Sequence, residues 1–212
     1  MKLKLALATS GLALAIAAPA WATITICSGP GCAQNPPENV LLNNDTDGTT
    51  IFGTTNQTGA IVVFTGNETL TDPPNGQARI EAVDGSFNFL TIGLQDPTLG
   101  MTAIEFNIDA EADGSTTLTF FDQFGTPFSG VFALDGNGQN FFTAVASGGE
   151  FIKLAQIDSQ VGLTALDDVA QVRLGAGLVP EPATWGMMIL GFFGLGAMLR
   201  TRRRAEASLG LA

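Results

Sequence analysis

The side chains best suited to chemistry in this chain are carboxylates. Asn43-Asn44-Asp45-Thr46-Asp47-Gly48 and Asp109-Ala110-Glu111-Ala112-Asp113-Gly114 each place acids or amides two apart ahead of a glycine. Alternate side chains of such a loop converge on a hard cation, which is how a calcium loop begins. An EF-hand loop must then end on an acid at its twelfth position. Counting from Asn43 reaches Thr54 and counting from Asp109 reaches Phe120, so neither loop is completed. Both stretches read as acidic turns. Asp45, Asp47, Asp109, Glu111 and Asp113 remain as calcium candidates, and no resident metal or cofactor is expected.

Asp167 and Asp168 are the second constellation. As neighbours in a strand they point to opposite faces and do not share one substrate. The pair reads as one solvated Asp and one that caps a bulge or turn. Glycoside hydrolysis needs two carboxyls facing across a cleft. Eighteen acids between Thr23 and Val179 make some such pair inevitable, so their abundance is uninformative. The chain has no histidine, which excludes a Ser-His-Asp triad and a histidine-bearing zinc or copper site. No catalytic residue is assigned, and the protein is not expected to be an enzyme. Against the eighteen acids stand Arg79, Lys153 and Arg173 alone, a formal charge of −15 for this region. No basic patch remains for nucleic acid.

The elements that must position these acids read as strands. Short apolar runs alternate with turn residues such as Asn75-Gly76, Asp84-Gly85, Asp113-Gly114 and Asp135-Gly136. Ten strands are predicted, over Thr50–Thr54, Ala60–Thr65, Ala78–Val83, Asn88–Leu94, Met101–Ala110, Ser115–Asp122, Pro127–Leu134, Gln139–Val145, Gly149–Ser159 and Ala165–Leu174. Ile104, Phe106 and Ile108 share one face of their strand, and Leu118, Phe120 and Asp122 share one face of theirs. A spacing near ten residues per strand predicts an all-β, antiparallel β-sandwich or jelly roll over residues 23–177.

Both flanks read as targeting segments. Residues 1–22 carry Lys2 and Lys4, then an apolar run, then Ala20-Trp21-Ala22, which fits the small-x-small rule for cleavage after Ala22. The Sec export machinery and signal peptidase are the partners this implies. Cys27 and Cys32 follow at once, and in an exported chain a pair at that spacing is expected to form a disulfide staple. At the other end, Val179-Pro180-Glu181-Pro182-Ala183-Thr184-Trp185 precedes an uncharged run over 186–199. Arg200, Arg202, Arg203 and Arg204 close it, and residues 205–212 form a short trailer. An apolar run ended by a basic cluster is a membrane stop signal, because an arginine at the bilayer centre costs ~3 kcal/mol on the insertion scale. A transmembrane helix over 186–199, with its arginines on the cytoplasmic side, is therefore expected, although fourteen helical residues reach only ~21 Å of a ~30 Å core.

Pro180-Glu181-Pro182, Trp185, the apolar run and the Arg cluster, in that order over residues 178–204, resemble a PEP-CTERM sorting tail of the PEPxxWA type. Gly186 stands where that subclass usually has Ala. The resemblance implies an envelope protein of a Gram-negative bacterium. It would be recognised and processed by exosortase, held transiently at the inner membrane, and delivered to the cell surface or matrix. Such proteins are typically linked to exopolysaccharide or biofilm. Gly148-Gly149-Glu150, the strand after it and Leu166-Asp167-Asp168-Val169 are similar to the closing strands of jelly-roll domains that precede such tails. Two alternatives stay open for residues 23–177. One is a carbohydrate-binding module for extracellular polysaccharide, although this region has no Trp or Tyr to stack on sugar rings. The other is a histidine-free hydrolase using two carboxylates.

Overall fold

The computed structural model describes residues 23–29, 36–42, 47–71, 73, 76–159, 166–179, 186–196 and 200. Twelve strands follow one another: β1 (Thr23–Ser28), β2 (Glu38–Leu41), β3 (Gly48–Thr55), β4 (Ile61–Thr71), β5 (Arg79–Ala82), β6 (Phe89–Leu94), β7 (Leu99–Ala110), β8 (Gly114–Asp122), β9 (Pro127–Leu134), β10 (Asn140–Ser147), β11 (Ile152–Asp158) and β12 (Leu166–Leu178). All ten predicted strands are present, most of them within three residues of the predicted ends. β1 and β2 were not predicted. β1 lies among signal and cysteine residues, and β2 is four residues long between prolines and asparagines.

Every pairing between strands is antiparallel. One layer runs β1-β10-β7-β12 and the other β3-β4-β6-β11-β8-β9. On one side β2 and β5 join the layers, β2 between β12 and β3 and β5 between β12 and β4. On the other side Met101 of β7 pairs with Ile152 of β11. The sheet thus closes on itself into a barrel-like sandwich, with β10-β1 and β8-β9 extending past the closure. Closure pairs β7, β12, β6 and β11 on both sides and leaves β1 and β9 as the edge strands. Phe132 of β9 meets Phe142 of β10 edge-on at 5.4 Å between ring centroids, which packs the two extensions together.

The interior follows from the alternation. Ile104, Phe106 and Ile108 of β7, and Leu118 and Phe120 of β8, are completely buried. Asp122 shares that inward face and is buried too. It is tolerated there because its Oδ1 accepts the N–H groups of Phe124 (2.8 Å) and Thr126 (2.7 Å), which ties the β8–β9 turn. Gly125 completes the turn at φ 82°, a left-handed conformation that other residues avoid.

The expected transmembrane helix over 186–199 needs correction. The described helix, α1, covers 186–196, with Arg200 again helical. Among the described residues no helix is long and apolar enough to cross a membrane.

Candidate functional site

The strand directions sort the chain into two ends. β7 starts at Leu99 and β12 finishes beside it, with Leu178 opposite Leu99. The turns after β3, β6, β8 and β10 share this end with them. The turns after β5, β7 and β9, and the start of β12, lie at the other.

The second end gathers the acids. Asp168 faces Asp109 of β7 and Glu81 of β5 in the ladder. Its carboxylate is buried and takes Arg79 Nε at 2.9 Å and a terminal guanidinium nitrogen at 2.8 Å. Arg79 Nε also lies 2.9 Å from Glu81 Oε1. Burial pushes the Asp168 carboxyl above the ordinary carboxylate range. Arg79 pulls against this, and the charges of Asp109 and Glu81 add to the rise. Asp167 is exposed beside a register shift between Leu166 and Asp168. Its carboxyl is also raised, by burial and then by Glu111 and Asp109. Asp167 is the solvated Asp of the pair, but Asp168 does not cap a bulge or turn. It is held in an ion pair instead, and Arg79, 89 residues away in sequence, was not foreseen as its partner. The clue available was that Arg79 is one of only three cations in the region.

Of the calcium candidates, Asp109, Glu111 and Asp113 are exposed around the β7–β8 turn. Asp113 Oδ1 accepts the Gly136 N–H at 3.0 Å, so it ties the β9–β10 turn to the β7–β8 turn. Asp47 is exposed before β3, and Asp45 lies outside the described residues. Among the described residues no group of three or more acids or cysteines converges as metal ligands. Cys27 is disulfide-bonded, and Cys32, the other cysteine of the chain, lies outside the described residues. So do Ala20, Ala22, Pro180, Glu181, Pro182, Trp185, Arg202, Arg203 and Arg204; Arg200 is exposed.

The first end holds a groove of about 640 Å³. Thr58 to Ile61 of the β3–β4 turn, Gln95, Asp96 and Leu99 around the β6–β7 turn, and Ala176 to Leu178 of β12 line it. Among the described residues no aromatic ring lines it, so it lacks the stacking surface a pyranose ring prefers. Asp96 is tied to its own turn: its Oδ1 accepts the Thr98 N–H (2.8 Å) and hydroxyl (2.7 Å), which hold its carboxyl below the usual range. Lys153 donates to the carbonyls of Pro97 and Leu99. The chain leaves β12 here, with Val179 N–H bonded to Thr98 O at 2.9 Å.

Beyond that exit, α1 is exposed along its whole length. Met187, Ile189, Leu190, Phe192, Phe193 and Leu195 are each more than half exposed. A Cβ added at Gly186, Gly191, Gly194 or Gly196 would meet nothing within 4 Å. The helix is apolar on every side and packs on nothing described.

No known protein family matches the chain, and no curated protein matches it. Among solved structures, a mutant of a family 29 carbohydrate binding module aligns with 73% of this chain and 91% of its own, at 8% identity and a TM-score of 0.29. A likeness at that level carries no argument about this chain.

Proposed function

We propose that this protein is an exported, non-enzymatic cargo domain carried to the membrane by its C-terminal tail, which serves as a sorting signal. The observation that supports this reading is α1: an apolar helix that follows a closed β-domain and adds nothing to its core. A helix apolar all round is at home inside a large core or in a lipid phase. In water its exposed Met, Ile, Leu and Phe side chains would cost ~25 cal/mol per Å² of apolar surface. The β-domain has completed its own core, with Phe64, Phe106, Phe120 and Phe142 fully buried, so the helix has a partner elsewhere.

The tail around α1 resembles a PEP-CTERM signal, and that resemblance supports exosortase as the processing partner and the surface or matrix as the destination. Pro180 and Pro182 remove two backbone donors and favour an extended strip, the form in which a protease binds its substrate. On this reading exopolysaccharide is the setting into which the domain is delivered. The test is fractionation of the native host with C-terminal mapping of the protein. Released protein that ends upstream of α1, and membrane-bound uncut protein after Pro180→Ala with Pro182→Ala, are the expected results. Release of the full-length chain, or unchanged processing of the double variant, would sink the sorting role.

A further inference from the structure

We infer that the end of the β-domain from which both flanking segments emerge lies against a lipid bilayer, with the tip of the β8–β9 turn in the interface. This rests on the reading that α1 enters the membrane.

Both ends of the domain belong to the same pole. Thr23, the first residue of β1, pairs with Ser147 at the end of β10, and Ser147 Oγ donates to Thr23 O at 3.2 Å. β10 pairs with β7, and β7 with β12, whose last residue Leu178 lies opposite Leu99. The start of β1 and the end of β12 are thus three strand spacings apart, about 14 Å. Six residues, 180–185, separate Val179 from α1, and six residues reach about 20 Å at full extension. With α1 in lipid, a tether of about 20 Å keeps this pole near the surface and is too short to bring up the far pole, which lies about 40 Å away along the 12 residues of β7.

The two poles differ in the way this requires. At the tethered pole Phe124 stands at the tip of the β8–β9 turn and is 72% exposed, Leu178 is 74% exposed and Ile61 41%, against Val83 at 57% among the described residues of the far pole. Four acids of the described residues lie there: Asp122 and Asp96 hold their own turns, Glu38 accepts from Thr58 (2.8 Å), and Glu150 is half-buried in the turn after β10. Lys153 beside Asp96 offsets one of these charges. Asp84, Asp109, Glu111, Asp113, Asp135 and Asp167 are in or beside turns of the far pole. A domain of this charge is repelled by anionic headgroups over about a Debye length. Placing its acids at the far pole lowers that repulsion while the apolar tips meet the interface, where Phe and Leu side chains bury apolar surface at the headgroup boundary.

Spin labels would test this. The full chain is reconstituted in phosphatidylcholine vesicles with a minority of phosphatidylglycerol. Single cysteines are placed at Phe124→Cys, Ile61→Cys, Val83→Cys (far pole) and Met188→Cys (α1), under oxidising conditions that keep Cys27 in its disulfide. Far-UV circular dichroism confirms the fold of each. The expected result is an oxygen-to-nickel collision ratio several-fold higher at 124 and 61 than at 83, with the highest ratio at 188. A label at 188 in lipid with 124 and 61 as aqueous as 83 overturns this inference and leaves the tail reading intact. A label at 188 in water overturns both.

Discussion

Glu38 is the residue whose loss should be felt most directly at the tethered pole. It sits in β2, buried at 3% exposure, where a carboxylate is expensive. Its Oε2 accepts the backbone N–H of Thr58 and the Thr58 hydroxyl, both at 2.8 Å. Thr58 Oγ1 is in turn 2.8 Å from Thr55 Oγ1, which accepts the Ala60 N–H. One carboxylate therefore organises the whole β3–β4 turn. Hydrogen bonds to a charged group contribute ~1.5–3 kcal/mol each, and a stranded buried donor costs ~1–3 kcal/mol. Glu38→Ala should cost about 3 kcal/mol, a large part of the ~5–15 kcal/mol by which a domain is stable. Glu38→Gln keeps one acceptor oxygen and should cost about half as much. Burial pushes the Glu38 carboxyl up, but the bonds from Thr58, with Thr55 and Gln57, outweigh it and hold it below the ordinary value. A carboxyl lowered in the folded state binds its proton less readily there than in the unfolded chain. Its contribution is present above the ordinary glutamate range and is lost as pH falls through the folded value. Glu38→Gln should therefore flatten the acid limb of the stability curve as well as lower its plateau. Urea unfolding followed by far-UV circular dichroism measures both. A Glu38→Ala midpoint indistinguishable from the parent, at unchanged m value, would refute the account of this turn.

Arg79→Ala should cost about 2 kcal/mol in the same assay. The value lies below the ~3–5 kcal/mol of a fully buried broken pair, because the Arg79 side chain is 53% exposed. That deficit should shrink as pH falls and Asp168 takes up a proton; a deficit constant with pH would argue against an ion-pair origin. Asp168, Asp167 and Glu150 all have carboxyls raised by burial first, then by neighbouring acids. The folded state takes up these protons before the unfolded chain does, so stability rises as pH falls from neutral toward the ordinary carboxylate range. It then drops as Glu38 and Asp96 protonate. A thermal scan across pH should show a maximum in mild acid, and a maximum at or above neutrality would contradict it. Gly136→Ala should destabilise by about 2 kcal/mol, because its Cβ would overlap the backbone of Ala112 and Asp113. A melting temperature unchanged by this substitution would show that the two turns are not packed as described.

The sequence alone determined the β class, all ten of the predicted strands and the inward faces of β7 and β8. Period-two alternation and Asn-Gly or Asp-Gly turns are local signals, written within about ten residues. The apolar run bounded by prolines and arginines is likewise a local pattern that needs no tertiary context to be seen. β1 and β2 escaped because each is short and flanked by residues that announce something else. Only the tertiary structure decided which strands are neighbours. Closure through Met101 and Ile152, the salt bridge of Arg79 to Asp168 and the hold of Glu38 on Thr58 join residues between 20 and 89 positions apart. No local pattern encodes such pairings. The same holds for the gathering of the start of β1 and the end of β12 at one pole and most of the described acids at the other. That polarity follows from an antiparallel order in which β1 begins, and β12 ends, on the same side of the sheet.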